Sequence, residues 1–335
     1  MKIFVTNLPS FYKINLFNSI NEREQILVIY TSKTEESRNA DFYNGTMQFD
    51  YLFLTEKGLH KYIRLFSIIR KYKKECRELI LDGWDTKENW FLAFISSKKQ
   101  NGLIVESSYY ESIVTGIKGF AKKVFLNRIS TTYPCGIAQK ELLLRLNFKK
   151  IIKTTGSVGV MTRYPQPAYS PRQCVSKFLY VGRLVEVKNL ELLIQAFNEL
   201  PDLHLDIIGF GVLEERLKSI AGKNISFLGA IDNADLGQYY QVSDVFILPS
   251  KSEPWGLVVE EALNNGCPVI VSDHVGCKDD LVTEETGLVF KSCDKEELKN
   301  TILKMTDIDL YNKFRLGVSK LNFAEREKNQ IEAYL

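Results

Sequence analysis

Asp244-Val245-Phe246-Ile247-Leu248-Pro249-Ser250-Lys251-Ser252-Glu253-Pro254-Trp255-Gly256-Leu257-Val258-Val259-Glu260-Glu261-Ala262 reads as a strand that turns into a helix. The run from Val245 to Leu248 is short, apolar and rich in branched side chains, which suits a parallel strand covered on both faces. Ser252 and Glu253 are expected to supply the cap and first-turn acid of the next helix, and Gly256 lets the backbone come close to whatever sits above it. Open N–H groups at a helix start, with the macrodipole behind them, seat an anion. Glu253 and Glu261 are eight residues apart, a little over two helical turns, so both are expected to project toward one crevice from different depths.

The same strand-to-helix form recurs upstream in Tyr180-Val181-Gly182-Arg183-Leu184-Val185-Glu186-Val187-Lys188-Asn189. A glycine marks the turn, and Arg183 and Lys188 bracket a helix start, where the dipole slightly disfavours cations unless an anion offsets them. Two phosphate-seeking corners and two hydroxyl-seeking acids fit a sugar nucleotide. Gly209-Phe210-Gly211 follows another strand, but a G-x-G alone is weak evidence and suits a tight turn beside the nucleotide.

Taken in order, Gly182-Arg183 with Lys188, Gly209-Phe210-Gly211, Phe227-Leu228-Gly229 and the Pro249-to-Ala262 segment resemble the C-terminal half of retaining GT-B glycosyltransferases of family 4, over residues 177–290. The N-terminal half resembles that family only loosely. The resemblance implies two Rossmann-like domains facing a cleft, with closure about the linker. It implies that Arg183 and Lys188 hold a diphosphate, Glu253 the donor hexose and Glu261 the ribose, so that Arg183, Lys188 and Glu253 are the catalytic set. Gly182, Gly209, Ile231, Trp255, Gly256 and Leu257 complete the donor side, Ile231 through its backbone toward the base. Many relatives place a histidine at the end of a mid-domain strand, where this chain has Glu106-Ser107-Ser108-Tyr109. Pro9, Ser10, Tyr12 and Glu106 are the acceptor-side expectation.

The expected reaction moves a hexose from a nucleoside diphosphate sugar to a saccharide or lipid-linked saccharide, with retention and with no covalent nucleophile, metal or cofactor. Polysaccharide or glycolipid assembly is the implied setting. A sugar-nucleotide epimerase or phosphorylase on the same fold is the enzymatic alternative. A nucleotide-sugar-binding scaffold without turnover is the other.

At 335 residues and 45% hydrophobic content the chain has room for two ordinary domains with real cores. Cys76, Cys135, Cys174, Cys267, Cys277 and Cys293 are scattered without a C-x-x-C pair, and only His60, His204 and His274 are present, so disulfides or a His-based metal centre are not expected. No long apolar run and no signal-peptide core opens the chain, which points to the cytoplasm. Net charge divides unevenly: residues 1–165 hold 26 Lys+Arg against 15 Asp+Glu, a net +11, and residues 166–335 hold 18 against 26, a net −8. Amphipathic basic stretches at 59–74 and 118–128 fit either a solvated face or the inner face of an anionic membrane, whereas no nucleic-acid motif accompanies the charge.

Along the chain, strands are expected at 2–6, 26–30, 78–82, 102–105 and 150–153, with helices between them and an irregular loop over 31–45. A proline-rich linker is expected at 163–176. Strands at 177–182, 203–208, 225–228, 244–248 and 268–271 then alternate with helices at 189–200, 212–221, 234–242 and 256–265, and residues 294–335 are helical, the last helix (321–335) crossing back to the first domain. The fold class is therefore α/β, with two doubly wound parallel-sheet domains over 1–162 and 177–320.

Overall fold

Lys2–Thr6, Ile26–Tyr30 and Asn101–Val105 are buried along their whole lengths, as near-continuous apolar runs require when helices cover both faces of a parallel sheet. The computed structural model describes residues 1–35 and 40–335 and divides into two units, Met1–Val160 with Ala324–Leu335, and Met161–Phe323.

Unit 1 runs β1 (Lys2–Thr6), α1 (Phe11–Asn21), β2 (Ile26–Tyr30), β3 (Asp50–Phe53), α2 (Leu59–Tyr72), β4 (Glu78–Asp82) and α3 (Lys87–Ile95). It continues with β5 (Asn101–Val105), α4 (Gly116–Leu126), β6 (Thr131–Pro134), α5 (Ile137–Arg145) and β7 (Ile151–Ile152). All its strands are parallel, in the order β3-β2-β1-β4-β5-β6-β7. One core, with Leu65, Leu92, Phe125 and Leu142, lies under α2 to α5; the other, with Ile14, Phe17 and Tyr334, lies on the opposite side of the sheet. The irregular stretch expected at 31–45 includes residues 36–39, outside the described residues; Ala40–Tyr43 forms a 3-10 turn.

Unit 2 runs β8 (Lys177–Val181), α6 (Leu190–Asn198), β9 (His204–Ile208), α7 (Glu214–Ile220), β10 (Ile225–Gly229), α8 (Leu236–Val242) and β11 (Val245–Leu248). It goes on through α9 (Leu257–Asn264), β12 (Val269–Ser272), α10 (Lys278–Leu281), β13 (Gly287–Phe290), α11 (Lys295–Met305) and α12 (Ile308–Ser319). Its parallel strands are ordered β10-β9-β8-β11-β12-β13. The edge strands β3 and β13 escaped the sequence reading because each is four residues long and only partly buried, so neither shows a clean period.

Residues 163–176, expected as the linker, lie with unit 2. Gln166 donates to the Val318 carbonyl at 3.0 Å, and Arg172 and Asn312 exchange hydrogen bonds at 2.9 and 3.0 Å, so the proline-rich stretch is tied down along α12. The last helix, α13 (Phe323–Tyr334), is held in unit 1 by several independent contacts. Buried Lys2 donates to the Tyr334 carbonyl, Gln330 to the Ser157 carbonyl at 2.9 Å, and the Tyr334 ring stacks on Tyr133 with centroids 4.9 Å apart. No helix among the described residues is long and apolar enough to cross a membrane.

Candidate functional site

In an open parallel sheet, ligands collect beyond the carboxyl ends of the strands where the strand order reverses. In unit 2 that point lies between β8 and β11, which pair through Val245 with Phe178 and Phe246 with Leu179. The loop after β8 carries Gly182, Arg183 and Lys188, and the loop after β11 carries Ser250 to Gly256. The topology therefore delivers two segments far apart in sequence to one place.

There the Lys188 ammonium contacts a Glu253 carboxylate oxygen, both side chains only 14% exposed. Tyr180, buried at the end of β8, donates its hydroxyl to the Arg183 carbonyl at 3.0 Å. Burial pushes the Tyr180 hydroxyl well up from its ordinary value, the Glu253 charge adds to this and Arg183 opposes it. Among the described residues Arg183 takes no carboxylate partner, so its charge remains for a ligand. The loops are locked further by the Lys251 N–H to the Val187 carbonyl at 2.8 Å and by Asn189, left-handed at φ 58, whose side chain donates to the Pro249 carbonyl at 3.2 Å.

Glu253 does not sit where the sequence reading put it. The helix begins at Leu257, its cap is Gly256 in the left-handed region at φ 103, and neither Ser252 nor Glu253 caps it. The reason is partly local, since a residue before proline avoids the helical region, and Pro254 follows Glu253. Tertiary pairing does the rest: the Glu253 N–H donates to the His274 carbonyl at 3.1 Å, Gly276 N–H to Glu253 at 2.9 Å and Cys277 N–H to Trp255 at 2.9 Å. Segment 274–277 is thus the wall that positions Glu253.

Trp255 is buried, its indole N–H donating to Glu260, so the ring is packing beneath the loop. At the start of α9 the Val259 N–H returns to the Gly256 carbonyl, the cap residue Gly256 offers no side chain, and among the described residues the Leu257 N–H takes no partner. Glycine is needed here, because an added Cβ would crowd Val275 and Leu248 at 3.2 and 3.3 Å at a φ that side chains avoid. Gly209 follows β9 and passes the β8 loop so closely that a Cβ would lie 1.9 Å from the Gly182 carbonyl oxygen. Its demonstrated role is backbone packing under the Arg183 loop. Ile231 is half-buried just beyond β10.

Glu261 lies inside α9, buried, and accepts the Tyr240 hydroxyl at 3.0 Å. Burial raises its carboxyl to about 7; the Tyr240 hydrogen bond opposes this and neighbouring Glu260 adds to it. The folded state therefore keeps a proton that the unfolded chain, at an ordinary value near 4.5, has already released. Stability should fall as pH rises from about 4.5 to 7 and level off above. Glu261→Gln should flatten that slope, worth roughly 3 kcal/mol, which thermal melts across the window measure. Equal slopes in both proteins would contradict the assignment. Tyr240 had no signature in the sequence, since its role depends on a helix 21 residues upstream packing on α9.

In unit 1 the strand order reverses between β1 and β4, and Pro9, Ser10 and Tyr12 follow β1 while Glu106 follows β5. Ser10 caps α1 by position, with its buried hydroxyl unpartnered, and Tyr12 packs edge-on against Phe42 with its carbonyl accepting Val160 N–H. Glu106 lies 3.0 Å from the Lys13 ammonium, which also contacts Asp82; Asp82 in turn accepts the Thr6 hydroxyl at 2.5 Å. Burial works against the Lys13 charge, but Asp82 and Glu106 outweigh it and hold the ammonium well above its usual range, while burial raises Glu106. Sequence reasoning missed Lys13 and Asp82 because helix and strand meet only in the fold. Among the described residues no group of three or more His, Cys, Asp or Glu side chains is arranged to hold a metal ion.

Residues 173–315 match the family described as Glycosyl transferases group 1. The chain is 36% identical over 123 residues to sulfoquinovosyl transferase SQD2 of Arabidopsis thaliana, covering 36% of this chain and 24% of that protein. It is 24% identical over 344 residues to poly(glycerol-phosphate) alpha-glucosyltransferase of Bacillus subtilis (strain 168), covering 96% of this chain and 50% of that one. The matched region thus spans half or less of the length of these curated relatives. Among solved structures, Anabaena Alr3699/HepE in complex with UDP superposes with a TM-score of 0.73 at 14% identity, covering 100% of this chain and 99% of that one. At such identity the likeness is one of fold, the two-domain GT-B arrangement of parallel sheets. The match to glycosyl transferases group 1 thus covers nearly all of unit 2, in a chain of GT-B architecture.

Proposed function

We propose that this chain is a retaining glycosyltransferase that moves a hexose from a nucleoside diphosphate sugar to a hydroxyl acceptor without a divalent metal. The observation that carries the reading is the contact between Lys188 and Glu253 at the β8–β11 reversal, with Arg183 on the same loop as Lys188 and, among the described residues, without a carboxylate partner. A diphosphate entering there meets Lys188, Arg183 and the open start of α9, and these groups stabilise the charge that grows on it as it leaves. The solved neighbour that holds UDP on the same fold supports a nucleoside diphosphate as the leaving group.

In this reading Glu253 exchanges its ammonium partner for hydroxyls of the hexose, Glu261 takes the ribose, and the backbone at Ile231 meets the base. The bond from the anomeric carbon to the phosphate oxygen breaks while the acceptor oxygen bonds to the same face, and the acceptor proton passes to the departing phosphate oxygen. Both carboxylates position the donor and neither attacks. Ser10 and Glu106 are proposed on the acceptor side, toward a saccharide or lipid-linked saccharide. The relative named for poly(glycerol-phosphate) supports a polymer or glycolipid setting.

The test is incubation with a panel of UDP-, GDP- and ADP-sugars and saccharide acceptors in the presence of EDTA, with the product's anomeric configuration read by NMR. A transfer product that keeps the donor's configuration is expected. Isomerised donor would favour an epimerase, sugar phosphate a phosphorylase, and nucleotide binding without turnover a scaffold.

A further inference from the structure

The exposed face of α2 is ordered in a way that neither the fold nor the donor site explains. Leu59, Ile63, Phe66, Arg70 and Lys73 follow one another at alternating spacings of four and three, so they form a single stripe along the helix. Its first half is apolar and exposed, with Leu59 at 73%, Ile63 at 57% and Phe66 at 48%. Its second half is cationic, and Lys74 lies beside it. A second apolar stripe with the same spacing, Ile113, Ile117 and Phe120, leads into and along α4, with Ile117 88% exposed and Lys118 and Lys123 exposed beside it.

Both stripes belong to one layer. Helices α2, α3 and α4 share one core on one side of the sheet, and α3 bridges the others through the Tyr62–Phe91 and Trp90–Phe125 ring contacts. Phe94 and Ile95 of α3 are themselves exposed between them. Where α2 meets the end of α3, a cleft of about 580 Å³ opens between Phe66, Ile69 and Ile95 on its apolar walls and Arg70 and Lys73 at its rim.

Charge decides what such a face meets. Lys61 and Arg64 are engaged by Glu88 and Glu56, at 2.9 and 3.8 Å, on the flanks of α2. Among the described residues Arg70, Lys73 and Lys74 have no carboxylate partner. Unit 1 as a whole holds 27 Lys+Arg against 18 Asp+Glu, a net +9. A second copy of the chain would bring the same cations to the same face and repel. A surface that is both anionic and apolar beneath satisfies both halves of the stripe.

We propose that the outer face of α2, α3 and α4 docks on an anionic phospholipid bilayer, with Leu59, Ile63, Phe66, Ile117 and Phe120 entering the acyl boundary and Arg70 and Lys73 receiving lipid phosphate at the cleft. This surface owes nothing to the donor-binding reading and is measured without turnover. The experiment is sedimentation of the full chain with vesicles of phosphatidylglycerol and phosphatidylcholine, against vesicles of phosphatidylcholine alone. Binding to the anionic vesicles is expected. Arg70→Glu/Lys73→Glu/Lys74→Glu should reduce it about 100-fold, and Leu59→Ser/Ile63→Ser/Phe66→Ser about tenfold. Lys304→Glu/Lys313→Glu/Lys320→Glu, a charge-matched change on exposed positions of unit 2, should leave it unchanged and keeps the comparison fair for net charge. Equal binding to both vesicle types, or equal losses in the unit 1 and unit 2 charge variants, would overturn the proposal. Release by inorganic phosphate at constant ionic strength would reassign the cleft to free phosphate. A dimer without vesicles that the serine variant dissociates would reassign the stripe to self-association.

Discussion

Lys188→Ala is expected to lower kcat/KM for the preferred donor by about 10²–10³-fold, because in the proposed reaction it removes a preorganised cation from the place where leaving-group charge develops. The structure adds a second expectation to that loss. Lys188 and Glu253 touch, so neither can be removed without leaving the other's charge partly buried and unpaired. Glu253→Ala should therefore also impair turnover, and the double variant should lose much less than the product of the two single losses. Steady-state kinetics on the four proteins measure this. Fully multiplicative losses would mean that the contact has no part in preparing the site.

Gly209→Ala is expected to cost stability and donor binding together. The added methyl carbon would lie 1.9 Å from the Gly182 carbonyl oxygen, at a φ of 138° that side chains rarely adopt. No side-chain rotation relieves a clash with backbone, so the β8 and β9 loops must separate. Overpacking of that kind with backbone strain costs about 3 kcal/mol or more. In a unit of this size that corresponds to a fall in Tm of roughly 10 °C. Because the loop that shifts carries Arg183, nucleoside diphosphate affinity should drop as well. A melt within about 2 °C of the parent would show that the loops part at little cost.

The alternation of strands and helices was legible because buried parallel strands announce themselves as apolar runs: β1, β2, β4 and β11 fall within a residue of their expected bounds. The meeting of the β8 and β11 loops was legible too, since a glycine turn with Arg183 and Lys188 and a strand ending at Pro249 are local patterns. What the sequence concealed were partners supplied by distant segments. Tyr240 beneath Glu261, the 274–277 wall behind Glu253 and Lys13 between Asp82 and Glu106 each join residues that only the fold brings together. The misplaced cap at Ser252 is a different case. Pro254 after Glu253 argues against a helix there, and in the structure that restriction prevails over the cap preference of a serine and an acid. The stripe on α2 shows the same boundary: its spacing is in the sequence, but its exposure is a property of the packed layer.

The central claim is that Arg183 and Lys188 share one anion beyond the ends of β8 and β11. Isothermal titration of UDP, GDP and ADP into the parent protein, Arg183→Ala and Lys188→Ala tests it most directly. One nucleotide should bind the parent, with Kd raised roughly 10- to 100-fold in each variant. If no nucleoside diphosphate binds the parent, or if the preferred one binds both variants as tightly, the claim is contradicted.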